Sequence, residues 1–135
     1  VIIDSLNGYT HAMPEQKFLI LQLHELLSYL GNRGVVTIMI LAQAGIMGSM
    51  TAPLDLTYLA DTVILTRFFE AFGKIKKAVS IIKKRTGAHE DSLRELKIGP
   101  GGVKVGEVLR GFQGIFSGIP KYTGAEDQMM KDADE

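Results

Sequence analysis

Two short apolar runs flank one stretch with helical patterning, and that order limits the folds open to this chain. Val1-Ile2-Ile3 places three β-branched residues in succession, and Val35 to Ala42 is apolar on both faces apart from Thr37. Strands with one wet face alternate polar and apolar residues. These runs do not, so both are expected inside a parallel sheet covered on both sides. Between them Leu19, Leu23, Leu26, Leu27 and Leu30 recur at helical spacing. Pro14-Glu15 suits a first helical turn, where proline loses no needed hydrogen bond and the carboxylate faces the dipole favourably. Gly31 and Gly34 supply the stop, and Asn7-Gly8 predicts a turn after the first strand. Strand, helix and strand make a βαβ unit.

Downstream the texture changes. Residues 44–58, rich in Gly, Met, Ser and Thr, read as a long loop, and Thr62-Val63-Ile64-Leu65 as a third strand. Gly73 predicts a hairpin turn, and 74–85, 93–98 and 103–105 alternate polar with apolar residues, as antiparallel strands with one wet face do. Gly99-Pro100-Gly101-Gly102 is a strong turn. Residues 121–135 are polar and acidic and are expected to form a flexible tail.

Composition narrows the function classes. The 135 residues are 46% hydrophobic and 22% charged, which is globular and not disordered. Fifteen basic and 15 acidic residues cancel, so any anion site must be local. Without cysteine there is neither a disulfide nor a Cys-based zinc site, in keeping with a reducing cytoplasm. The apolar runs fall far short of the roughly 20 residues a membrane helix needs. No membrane association is expected.

Asp4 ends the first strand. Ligands of open α/β sheets collect outside the carboxyl ends of the strands, where a lone Asp can hold the magnesium of a bound nucleotide. The plainer reading is a strand's exit into solvent. Gln43 ends the next strand and would emerge on the same rim, either as a nucleotide-sensing partner or as a cap. No Gly-x-x-x-x-Gly-Lys-Ser/Thr occurs, and the chain opens inside a strand, so it is expected to be the second half of a nucleotide-binding domain.

A basic run follows. Lys74, Lys76, Lys77, Lys83, Lys84 and Arg85 supply six of the 15 positive charges, and no acid interrupts residues 71–89. Edge-strand lysines commonly serve against edge-to-edge aggregation, so most are expected to be solvated. Lys83 and Arg85 differ: they close the strand together at i and i+2, on one face. A planar guanidinium fork beside a mobile ammonium suits the charge that spreads over a γ-phosphoryl group. His24-Glu25 begins like a zinc-protease helix, but Ser28 stands where the second His is required.

Four segments together resemble one family. Val1-Ile2-Ile3-Asp4-Ser5-Leu6, Leu59 to Leu65, Ile82-Lys83-Lys84-Arg85-Thr86-Gly87-Ala88-His89 and Gly111 to Pro120 are similar to the KaiC-type RecA-like ATPases, over residues 1 to 120 and in the family's order. The fold this implies is α/β: part of a RecA-like P-loop NTPase sheet, a parallel βαβ portion followed by antiparallel hairpins. The resemblance implies ATP and Mg2+ as ligands, with a Walker B role for Asp4 beside Ser5. It implies γ-phosphate sensing at Gln43, a Lys83/Arg85 pair reaching a neighbour's ATP, and His89 near that interface. It implies a homo-oligomeric ring, commonly hexameric, with a dimer conceivable for this portion alone, and a regulatory or signalling role. The P-loop is not in the sequence, so the 135 residues alone are expected to be inactive. Thr57-Tyr58 stands where clock members carry a phosphorylated Ser-Thr pair, which argues against clock-like autokinase activity.

Two alternatives remain at this point. One is a RecA- or RadA-like DNA-binding ATPase, against which stands a 44–58 loop without a single Lys or Arg. The other is a non-catalytic module that docks a protein partner.

Overall fold

The computed structural model describes residues 1–13, 15–42, 56–117 and 119–123. Pro14, Gln43, most of the expected 44–58 loop and all but the first three residues of the expected tail lie outside them. The described residues form two compact units, one up to Ala60 and one from Asp61 onward. The result is a mixed α/β chain with one parallel sheet and two antiparallel ones.

The first unit runs β1 (Ile2–Asp4), α1 (Leu6–Ala12), α2 (Gln16–Asn32) and β2 (Ile38–Ile40). β1 and β2 pair in parallel, Ile2 with Ile38, Ile3 with Met39 and Asp4 with Ile40, so the expected βαβ unit is present. β2 is shorter than the apolar run that predicted it. Asn7-Gly8 lies within α1 and not in a turn. Leu19 and Leu23 of α2 are buried with Leu6 and Leu56, and Ile3 and Met39 pack onto that cluster. Their i, i+4 spacing puts one face of the helix on the sheet. Leu26, on the same predicted stripe, is exposed.

The end of α2 shows why Gly34 is needed. The Gly34 N–H donates to Gly31 O (2.9 Å) and the Val35 N–H to Leu30 O (3.0 Å). This is the paired closure of a helix whose first residue past the cap is left-handed, and Gly34 has φ +70°.

The second unit is an antiparallel meander, β3 (Thr62–Ala71), β4 (Lys74–Lys84), β5 (Arg94–Gly99) and β6 (Gly102–Val108), in that spatial order. A smaller pair follows, β7 (Phe112–Gln113) and β8 (Lys121–Tyr122). The 62–65 segment is thus the start of a ten-residue antiparallel strand. Both residues of the β3–β4 turn have positive φ, Phe72 at 53° and Gly73 at 71°, which is the twist a two-residue hairpin requires. Phe69, Ala71 and Ala78 on one sheet face are buried with Leu109, Phe112 and Ile115. Register puts Ile64, Phe68, Ile75, Ile98, Val103 and Val105 on the other face, where all six are exposed.

The buried face is not purely apolar. Lys76 Nζ lies 3.2 Å from Glu95 Oε1, and the two side chains are 13% and 3% exposed. Lys76 therefore departs from the solvated lysines expected for the basic run. Buried Arg67 donates through Nη1 to Phe116 O, fastening the segment after β7 to β3.

Candidate functional site

Parallel pairing brings the carboxyl ends of β1 and β2 to one edge of the small sheet. Asp4 is exposed there, the last residue of β1 and paired with Ile40. Its peptide bond to Ser5 is cis. Ser5 is the N-cap residue of α1 and does not use its side chain for the cap. Gln43 lies outside the described residues. Its approach does not: Asn7 Nδ2 donates to Ala42 O (2.7 Å), and the Ala42 N–H donates to Asn7 Oδ1 (2.8 Å). One amide side chain thus ties the exit of β2 to the helix that follows Asp4. Asn7 was missed as a site residue because Asn-Gly in sequence signals a turn.

Lys83 and Arg85 are set by an irregularity in the β3–β4 ladder. From the turn outward the partners run in step to Ile64 opposite Ile81, and then Val63 faces Lys83. Ile82 is the extra residue of a β-bulge, a device that bends a strand and re-aims side chains. By simple alternation Lys83 would share the exposed apolar face with Ile81. The bulge instead puts it beside Val63, on the side of Leu65, Arg67 and Phe69. Arg85 follows on the same side, one residue past the strand. Sequence spacing put the two cations on one face but named no face. The signal for the switch was the Ile81-Ile82 doublet, which breaks the alternation.

Arg85 is held at that end by Asp61. The Arg85 N–H donates to Asp61 O (2.7 Å), and Arg85 Nη1 lies 3.2 Å from Asp61 Oδ1. Sequence reasoning did not single out Asp61. Lys84, on the opposite side of the strand, donates from Nζ to Ala88 O (3.4 Å). His89 is exposed in the connection to β5. Just beyond it, the Ser92 hydroxyl and then the Arg94 guanidinium hydrogen-bond the Glu90 carboxylate and hold its pKa below the ordinary carboxylate range. Asp4 and Ser5 belong to the first unit, and Lys83, Arg85 and His89 to the second. Among the described residues no three His, Asp or Glu side chains form a group able to hold a metal.

Residues 1–110 match the family model described as "ATPase: KaiC". This chain belongs to the KaiC ATPase family. Named KaiC relatives match shorter stretches. The circadian clock protein KaiC3 of Synechocystis sp. is 28% identical over 80 residues, 59% of this chain and 16% of its own length. The circadian clock oscillator protein KaiC of Thermostichus vulcanus is 29% identical over 70 residues, 52% of this chain and 14% of its own. The Synechococcus elongatus KaiC is 32% identical over 62 residues, 46% and 12% respectively. The matched part is thus under a fifth of each KaiC relative. The KaiC model spans Asp4, Ser5, Asp61, Lys83, Arg85 and His89.

Proposed function

We propose that residues 1–120 form the C-terminal part of a RecA-like, ATP-hydrolysing domain, followed by an acidic tail over 121–135. The parent would be a cytoplasmic, ring-forming regulatory protein of the KaiC family. The observation that carries this reading is Asp4, an exposed carboxylate at the carboxyl end of a parallel strand within the matched segment. Magnesium fits such a position, because it takes one or two protein carboxylates and fills its remaining positions with phosphate oxygens and water. Bound with the nucleotide, it neutralises phosphate charge and polarises the γ-phosphoryl group.

The chain's own residues then divide the work. Asp4 and Ser5 orient the metal and nucleotide, and Gln43 reads the γ-phosphate. Lys83 and Arg85 donate from an adjacent protomer to the charge that develops on the transferred group, and His89 stands near that boundary. A guanidinium fork at the end of a hairpin is suited to reach across a boundary.

The test is calorimetric titration of Mg-ATP into the complete protein, together with turnover of the Arg85→Ala variant. Binding, with turnover lowered on the order of a thousandfold, is expected for a cation acting in trans. Absence of binding heat, or undiminished turnover in Arg85→Ala, would overturn the assignment.

A further inference from the structure

We propose that Asp61 is a positioning residue for Arg85, a guide that pre-orients the guanidinium before it meets the neighbour's phosphate. This rests on the reading of Arg85 given above.

Arg85 stands one residue beyond the last ladder pair, Thr62 with Lys84. A long side chain there would sample many rotamers, and each one frozen on engagement would subtract from the interaction. Asp61 meets it at two points. The main-chain bond to Asp61 O at 2.7 Å extends the ladder by one step and fixes the Arg85 Cα opposite Asp61. The carboxylate then draws Nη1 to 3.2 Å. The main-chain bond sets where the side chain starts, and the carboxylate sets which way it points.

Exposure decides between a guide and a lock. The Arg85 side chain is 56% exposed and that of Asp61 81%, so water and salt reach the pair and weaken it. A buried pair would resist release. This one yields to a triphosphate, whose charge exceeds that of a single carboxylate. Asp61 therefore restricts Arg85 before engagement and is displaced by the stronger charge on engagement.

The experiment is a double-mutant cycle on Mg-ATP turnover by the complete protein, using Asp61→Asn, Asp61→Glu, Arg85→Ala and the Asp61→Asn/Arg85→Ala pair. Asn keeps the main-chain carbonyl and side-chain size and removes the charge. The expected result is a kcat about three- to tenfold lower in Asp61→Asn at unchanged KM, the scale of a misoriented group. Most of it should return in Asp61→Glu, and Asp61→Asn should have no further effect once Arg85 is Ala. Side-chain NMR should show a lower order parameter for Arg85 Nε in Asp61→Asn. Normal or raised turnover in Asp61→Asn, or additive losses in the double variant, would overturn the proposal while leaving the ATPase reading intact. Unchanged turnover in Arg85→Ala alone would remove both.

Discussion

Replacing Phe72 by Gly sets two terms of opposite sign against each other at the β3–β4 turn. Phe72 has φ 53°, a left-handed conformation that disfavours any side chain by about 1–2 kcal/mol and that glycine adopts freely. On strain alone the substitution stabilises. The ring argues otherwise. Phe72 is 44% exposed, so somewhat over half of it is out of water, which at about 25 cal/mol per Å² contributes roughly 2 kcal/mol after allowance for a compact unfolded chain. It also meets Phe112 and Tyr122 edge-to-face at centroid distances of 6.2 and 5.0 Å, and such pairs add about 0.5–1.5 kcal/mol each. Glycine also loosens the unfolded chain by about 0.5–1 kcal/mol. The ring terms win, and a net loss of about 3 kcal/mol is expected. Native-state hydrogen exchange should read it as an approximately 150-fold acceleration at the Ala71 and Phe112 amides, with the α2 amides unchanged. Unchanged or slower exchange at those amides would mean that the rings contribute less than the turn costs, and the reasoning would fail.

Three further outcomes are expected. Glu95→Gln leaves Lys76 as an uncompensated, largely buried charge and should cost about 3 kcal/mol in urea unfolding, whereas the Lys76→Met/Glu95→Leu pair should recover most of that. Ser92→Ala removes the largest contribution to the lowered Glu90 pKa, so NMR titration of the Glu90 carboxyl should show its midpoint move back up. Since the folded-state pKa is the lower one, the stabilisation from Glu90 is present above its unfolded pKa and lost as pH falls through the folded one. Asn7→Ala deletes both bonds to Ala42 and should speed exchange of the Ala42 amide at least about tenfold, because each lost bond contributes about 1 kcal/mol.

Elements defined by periodicity were legible in the sequence. The two apolar runs became the paired strands β1 and β2, the leucine repeat became α2, and Gly73 and the Gly99–Gly102 segment became hairpin turns. Features that depend on parity or on distant partners were not. One extra residue at Ile82 reverses which face Lys83 presents, and alternation read along a single strand does not count residues against the strand opposite. Asn7-Gly8 carries a turn signature, yet the helix incorporates it and Asn7 bonds to a residue 35 positions away. Lys76 looked like one of six similar cations until Glu95, 19 residues on, gave it a buried partner. Asp61 lay within a family-like segment, yet its residue type gave no sign that it would hold Arg85, 24 positions on.

The inserted isoleucine also shows how this hairpin can vary in length. Deleting Ile82 would leave every residue of β3 in place and restore strict alternation, and Lys83 would still face Val63, because Ile81 already faces Ile64. Straightening the strand with Ile82 kept would instead set Ile82 opposite Val63 and swing Lys83 and Arg85 over to the side of Ile64 and Phe68. The bulge thus absorbs one residue without moving the cations, and a single-residue gap at Ile82 in a relative would mark a plain ladder whose terminal arginine serves the same surface.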